Sequence, residues 1–123
     1  MQFLATGNPS NGYRARITIN QGETVKLAMQ FYDVTGTPLQ LNGYAIKAAI
    51  AFPTPLLLNT GNGGITINNA TNGMAQMNIP SATTATVPPA NYPWDLWLVS
   101  PDGTETPWAT GSFIIQSTTT PVP

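Results

Sequence analysis

Five carboxylates are the side chains with which this sequence could carry out acid–base chemistry. They are Glu23, Asp33, Asp95, Asp102 and Glu105. The sequence contains no histidine and no cysteine, which excludes Ser-His-Asp and Cys-His mechanisms, thiolate catalysis, disulfides and zinc sites built on sulfur. Paired-carboxylate hydrolysis of the glycosidase type remains open, and it requires two carboxyl groups about 5–5.5 Å apart.

The positions of the carboxylates favour turns over catalysis. Asp95 lies on the outward side of a strand predicted at Tyr92–Val99, and Asp102 and Glu105 flank the turn that follows, so two of them could approach on one face. However, Asp102 precedes a glycine in a hairpin turn and Asp33 lies in a similar turn, where an aspartate caps the backbone. Because no histidine, cysteine or cationic stabiliser accompanies them, we predict that the protein is not an enzyme.

Neither a metal nor a nucleotide site is indicated. Asp33 and Asp102 lack the closely spaced Asp and Asn residues of a calcium loop. Gly61, Gly63 and Gly64 precede a predicted strand instead of a helix, and no Lys-Ser/Thr pair follows them, so they do not form a phosphate-binding loop. The prediction is therefore that the protein binds no metal and no cofactor.

Charged residues make up only 7% of the chain and the net charge is −1, against roughly 25% charged residues in an average soluble domain. The four basic residues are Arg14, Arg16, Lys26 and Lys47. Such a composition provides neither the phosphate contacts of a nucleic-acid binder nor a polybasic membrane patch, and no apolar run reaches a membrane span. Low charge protects a free monomer poorly from self-association, which favours a subunit covered by other proteins, copies of itself included.

Short segments of alternating apolar and polar residues lie between Gly and Pro turn signals. The alternation is clearest at Val25–Tyr32, Tyr44–Phe52 and Tyr92–Val99, while Ser81–Ala85 predicts one helical turn with Ser81 as its N-cap. No window keeps a 3.6-residue apolar period. This pattern predicts an all-β, immunoglobulin-like antiparallel β-sandwich of about seven strands. The predicted inward residues are Leu27, Met29, Phe31, Tyr44, Ile46, Ile50, Met77, Ile79, Tyr92, Trp94, Leu96, Phe113 and Ile115.

Two tryptophans are candidate interface residues. Trp94 shares the inward face of its strand, whereas Trp97 points to the opposite face, and Trp108 is expected to pair across the sheet with Trp97 or a neighbour. An outward tryptophan can anchor a protein interface, stack on a sugar, or cover the outer sheet face beside its own loops. These three interpretations stay open at this point.

The two ends of the chain fall outside the alternating pattern. Residues 1–12 and 117–123 are polar, contain proline and show no period, so we predict an N-terminal arm and a C-terminal tail around a sandwich at 13–116. At least one arm is expected to lie extended along a neighbouring subunit. Phe3 and Leu4 are the predicted apolar anchors of the N-terminal arm.

The order of motifs along the chain resembles small immunoglobulin-like domains of tailed-bacteriophage virion proteins, such as the N-terminal modules of baseplate upper proteins and tail-fibre-associated proteins. The resemblance covers about residues 16–116. It rests on mainly turn and core features: Ile17–Thr24, Asp33–Tyr44, Asn72-Gly73, Ser81–Pro88, Tyr92–Leu96, Pro101–Thr104 and Gly111.

The resemblance implies a non-enzymatic docking or decoration unit located in the virion. Its implied partners are major capsid, tail or baseplate subunits. Because the chain ends soon after the domain, the expectation is a stand-alone subunit, either a head-decoration (cement) protein or a small tail or baseplate component. The alternative function is a carbohydrate-binding module for host-surface glycans, in which Trp97, Trp108 and nearby Asn side chains would contact the sugar.

Overall fold

The alternating segments fold into strands of two packed sheets. A computed structural model describes residues 3–6, 13–33 and 35–117, with residues 3–6 and 13–15 described by their backbone alone. Nine strands and one helical turn lie within these residues: β1 (Phe3–Thr6), β2 (Tyr13–Asn20), β3 (Val25–Phe31), β4 (Ala45–Ile50), β5 (Leu56–Asn59), β6 (Ile65–Asn69), β7 (Met74–Ile79), α1 (Ser81–Thr84), β8 (Ala90–Val99) and β9 (Glu105–Gln116).

The strands form a four-stranded sheet in the order β1-β3-β7-β6 and a five-stranded sheet in the order β2-β9-β8-β4-β5. The orders β3-β7-β6 and β9-β8-β4-β5 correspond to strands B-E-D and G-F-C-C′ of an immunoglobulin sandwich. The predicted all-β sandwich is therefore confirmed. The strand count exceeds the predicted seven, and the edge strands β1 and β2 pair in parallel with β3 and β9, whereas the inner pairs are antiparallel.

The core lies between the sheets and is built from the inward positions of each strand. Eleven of the thirteen predicted inward residues are buried, and the other two, Tyr44 and Tyr92, are partly buried against the core. Tyr92 packs edge-to-face on Phe52 at 5.1 Å and donates its hydroxyl to the carbonyl oxygen of Pro88 at 2.6 Å. The polar end of a tyrosine needs such a partner, which holds Tyr92 at the rim.

A β-bulge in β9 turns Trp108 into the core. Leu96 pairs with Ala109 and Trp97 pairs with Pro107, so Trp108 is the extra residue that has no partner position in β8. Its side chain is only 7% exposed and packs edge-to-face on Phe31, with ring centroids 5.9 Å apart. This corrects the interpretation of Trp108 as an outer-face partner of Trp97.

The helical turn α1 is present, although its predicted cap is not. Pro80 holds the N-cap position and no side chain caps the turn, so Ser81 is the first helical residue. Thr84 is the buried polar residue of the described chain, and its hydroxyl donates to the carbonyl oxygen of Glu23 at 2.7 Å. This bond ties α1 to the turn after β2. Within the described ranges, no helix has the length and hydrophobicity to cross a bilayer.

Part of the predicted N-terminal arm forms strand β1. The register places Phe3 opposite Ala28 and Leu4 opposite Met29 in β3 of the same chain, whereas the sequence placed these anchors on a neighbouring subunit. The other arm residues, 1–2, 7–12 and 118–123, lie outside the described residues. The proposed boundaries of the sandwich stay a prediction.

Candidate functional site

The outward side chains of β8, β4 and β5 form one face of the five-stranded sheet. Along β8 the inward residues alternate with outward ones, and the register fixes which outward side chains are neighbours. Asp95 pairs with Ala49, and Ala49 pairs with Leu57 in β5. In the next row, Trp97 pairs with Lys47. The face thus brings one carboxylate, one indole and one ammonium group around a central alanine.

The small side chain of Ala49 leaves a depression in the middle of this face. The depression has a volume of about 320 Å³, and we call it the Ala49 socket, with Ala49 as its floor and Leu57, Asp95, Trp97 and Lys47 as walls. A longer residue at position 49 would fill it. The socket has the size for one large side chain of a partner protein, and its lining is mostly apolar, as in protein-binding pockets.

A second, shallower depression extends the socket along the strands. Its volume is about 260 Å³, and it is lined by Ala51, Pro55 and Pro93 among others. Ala49 and Asp95 line both depressions. Asp95 therefore lies near the middle of a shallow trough.

Leu57 is the exposed large apolar residue of the described chain, with 64% of its surface accessible. Fully burying a leucine stabilises a fold or an interface by about 1.5–3 kcal/mol. Trp97, across the socket, is partly buried, and tryptophan is among the residues that contribute most to protein interfaces. Together they make this face the candidate docking surface.

Lys47 bridges the socket rim to the β9 side of the sheet. Its ammonium lies 2.5 Å from the Glu105 carboxylate and 6.0 Å from the centroid of the Trp97 ring. Both charged side chains are about half exposed, so the ion pair adds about 1 kcal/mol at most to stability. Its structural effect is to hold Lys47 over the Trp97 ring.

The edge of the sheet beside the socket is capped by a side chain. The Asn62 carboxamide donates to the carbonyl oxygen of Leu57 at 3.1 Å and accepts from the backbone N–H of Asn59 at 3.0 Å. A neighbouring strand would offer the same donor and acceptor, so Asn62 occupies the place of a partner strand. A partner at this site consequently contacts the face through side chains.

The two aspartates predicted to cap turns do so. Asp33 accepts hydrogen bonds from the hydroxyl and N–H of Thr35 and from the N–H of Thr37, and the hydroxyl bond contributes most to lowering its pKa. Asp102 accepts from the Ser100 hydroxyl and the Thr104 N–H, which lowers its pKa to about 2. These carboxylates stabilise loops and are permanently ionised at neutral pH.

The remaining three carboxylates differ in their partners. Glu23 accepts from the N–H of Asn20 at 2.9 Å and Glu105 pairs with Lys47. Asp95 accepts no hydrogen bond and joins no ion pair within the described residues. Nor does any group of three or more acidic side chains in that part of the chain approach closely enough to hold a metal ion.

Of the four predicted interface residues, the structure places Trp97 alone at this site, and the candidate carboxylates Asp95 and Glu105 line it as well. Phe3 and Leu4 lie in β1 of the opposite sheet, and Trp108 lies in the core. Sequence reasoning missed Leu57, although a signal existed: if β5 is an edge strand with Leu58 inward, then Leu57 must point outward.

Comparison with known proteins shows the fold. No family model and no curated protein sequence matches the chain. Among solved structures, the N-terminal domain of phage TP901-1 ORF48 superposes with a TM-score of 0.64 at 10% identity, covering 94% of this chain and 99% of that domain. The cysteine protease inhibitor EhICP2 from Entamoeba histolytica gives a TM-score of 0.46 at 12% identity, covering 94% and 96% of the two chains. The chain therefore shares its fold with a phage domain almost from end to end.

Proposed function

We propose that this chain is a non-enzymatic structural subunit of a tailed-bacteriophage virion. The observation that carries the proposal is the end-to-end match of fold with the N-terminal domain of a phage protein, over 94% of one chain and 99% of the other. The resemblance of its motifs to virion immunoglobulin-like modules points to the same role. We propose two possible locations for the subunit in the virion: the head lattice, or the tail or baseplate.

The subunit docks on another virion protein through the outer face of the five-stranded sheet. Exposed Leu57 and the partly buried Trp97 flank the Ala49 socket there. Five strands about 4.8 Å apart, with an average length of eight residues at about 3.3 Å per residue, give a face of roughly 630 Å². This area is at the low end for a specific interface, in which each partner buries about 800 Å². The arms 1–12 and 117–123 are the proposed second contact.

Virion occupancy tests the docking face directly. In phage complemented with Leu57→Asp in place of the wild-type chain, we expect the copy number per particle to fall at least tenfold. Asn68→Asp is the matched control, because Asn68 is exposed on β6 of the opposite sheet and receives the same charge. Equal occupancy of both variants would reject the face, and absence of the wild-type chain from purified virions would reject the virion role itself.

The copy number of the wild-type chain separates the two proposed locations. Hundreds of copies per particle would indicate a head-decoration protein, whereas a small multiple of three or six would indicate a tail or baseplate component. Quantitative mass spectrometry of purified particles gives this number.

The glycan-binding alternative has less support from the site. A sugar stacks on an open aromatic face, but the Lys47 ammonium lies over the Trp97 ring, and Trp108 is in the core. A glycan array with the purified chain separates the two functions. Selective binding that disappears in Trp97→Ala would favour the carbohydrate-binding module over the docking subunit.

A further inference from the structure

We propose that the Ala49 socket receives an arginine side chain of the docking partner, with Asp95 as its counter-ion. The inference rests on the proposed docking function and adds the chemistry of the partner. Its basis is a difference between Asp95 and the other acidic residues in the partners that the described structure gives them.

Asp95 is the carboxylate that has no partner within the described residues. The other four acids accept hydrogen bonds or an ion pair inside the described structure, whereas Asp95 does neither within those residues. It is partly buried in the middle of β8, between the buried Trp94 and Leu96. Aspartate is disfavoured in strands, and a partly desolvated carboxylate is stabilised by a cation brought close to it.

The shape of the socket fits a long side chain with a planar cationic end. Ala49 leaves open the space directly beside Asp95, and Leu57 supplies an apolar wall for an aliphatic stem. Guanidinium pairs with a carboxylate through two parallel hydrogen bonds, a geometry that a lysine ammonium does not provide. The indole of Trp97 forms the adjacent wall of the socket.

None of the cationic side chains that the structure describes pairs with Asp95. Lys47 pairs with Glu105, and Lys26 belongs to β3 of the opposite sheet. Arg14 lies in the same row as Asp95, because its partner Thr110 is also the partner of Asp95. Two strand spacings, about 9.6 Å, separate the backbones of Arg14 and Asp95. The experiment below therefore includes Arg14 as a control.

Binding of a small arginine probe tests the site on the full chain. We would titrate ¹⁵N-labelled protein with N-acetyl-L-arginine amide and follow the Trp97 indole N–H and the Ala49 and Leu57 amides by NMR. We expect saturable shifts with a Kd of about 1–10 mM, as one side chain can give. The uncharged isostere N-acetyl-L-citrulline amide should bind at least tenfold more weakly, and so should the arginine probe to Asp95→Asn.

Several results would overturn the inference. The first is equal binding of the citrulline and arginine probes, and the second is tighter binding of N-acetyl-L-lysine amide than of the arginine probe. The third is an unchanged titration in Asp95→Asn. The fourth is tenfold tighter binding of the arginine probe to Arg14→Gln, because that result would show that Arg14 already neutralises Asp95 in the wild-type chain. Self-association of the wild-type chain that is lost in both Asp95→Asn and Arg16→Gln would support it and identify a second copy as the source of the arginine.

Virion occupancy distinguishes a failure of this inference from a failure of the docking proposal. We expect Asp95→Lys to abolish incorporation and Asp95→Asn to reduce it. If both Asp95 variants are incorporated normally and Leu57→Asp is not, the docking face is supported and the arginine site is rejected. Normal occupancy of all three would reject the face as well.

Discussion

The carboxamide of Asn62 donates to the carbonyl oxygen of Leu57 at 3.1 Å. Leu57 lies on the edge strand β5, and its side chain is the exposed large apolar group of the face. The same carboxamide accepts from the N–H groups of Asn59 and Gly64. One residue therefore closes the backbone of an edge strand while leaving its leucine open. This separation lets the face bind a partner through side chains without offering its edge to unrelated strands.

We predict that Asn62→Ala makes the chain prone to self-association. The substitution leaves the exposed Leu57 carbonyl and Asn59 N–H without their partner, which opens the β5 edge to another strand. Loss of these bonds should lower the free energy of unfolding by about 0.5–1.5 kcal/mol. Light scattering after gel filtration measures the association, and urea unfolding measures the stability. Asn68→Ala, on β6, is the control. A monomeric Asn62→Ala protein of unchanged stability would contradict the edge-cap interpretation.

We predict different effects for the two tryptophans that the sequence analysis names as candidate interface residues. Trp108→Ala removes a buried ring that packs on Phe31, and should lower the free energy of unfolding by about 3–5 kcal/mol. Trp97→Ala removes a partly buried outer-face ring and should lower it by about 1 kcal/mol, yet it should reduce virion occupancy. Urea denaturation compares the two, and equal destabilisation would mean that Trp97 is also a core residue.

The fold was predictable because its signals are local. Alternation in β3 and β8 assigns Leu27, Met29, Trp94 and Leu96 to the inward face, and the structure buries all four. Such alternation follows from the geometry of a single strand. A sequence also shows which turns separate the strands, so the sandwich class follows without knowledge of the pairing.

What could not be predicted depends on pairing between distant segments. The bulge that buries Trp108 is defined by the register of β9 against β8, and no residue within β9 alone reveals it. Likewise, the Ala49 socket exists because Leu57 and Asp95 flank Ala49 from two other strands. The cap at Ser81 failed for a local reason, since Pro80 already holds that position with extended backbone angles.

Two turn aspartates predict how stability depends on pH. Hydrogen bonds lower the pKa of Asp102 to about 2 and also lower that of Asp33, against about 3.9 in an unfolded chain. A depressed folded-state pKa gives stability that is present above the unfolded value and is lost as pH falls through the folded one. We therefore expect the free energy of unfolding to decline between about pH 5 and pH 2.

The variant Asp102→Asn tests the assignment. Its stability at pH 7 should be lower than that of the wild-type chain, because it loses the charged acceptor of the Ser100 and Thr104 bonds. Its decline towards pH 2 should be shallower. Urea unfolding at pH 7, 4 and 2.5 measures both slopes, and parallel curves for the two proteins would show that Asp102 contributes nothing to the acid sensitivity.

A disulfide between β1 and β3 tests whether the N-terminal strand pairs within its own chain. Ala5 lies opposite Gln30, and adjacent strands about 4.8 Å apart fall within the Cα–Cα range of disulfides. Because the sequence has no cysteine, Ala5→Cys with Gln30→Cys introduces a single possible pair. We expect oxidation to give an intrachain bond, visible as a monomer band on a non-reducing gel and as loss of free thiols, with the two single variants as controls. Covalent dimers from purified virions would instead show that β1 pairs with β3 of a neighbouring copy, as the arm prediction from the sequence requires.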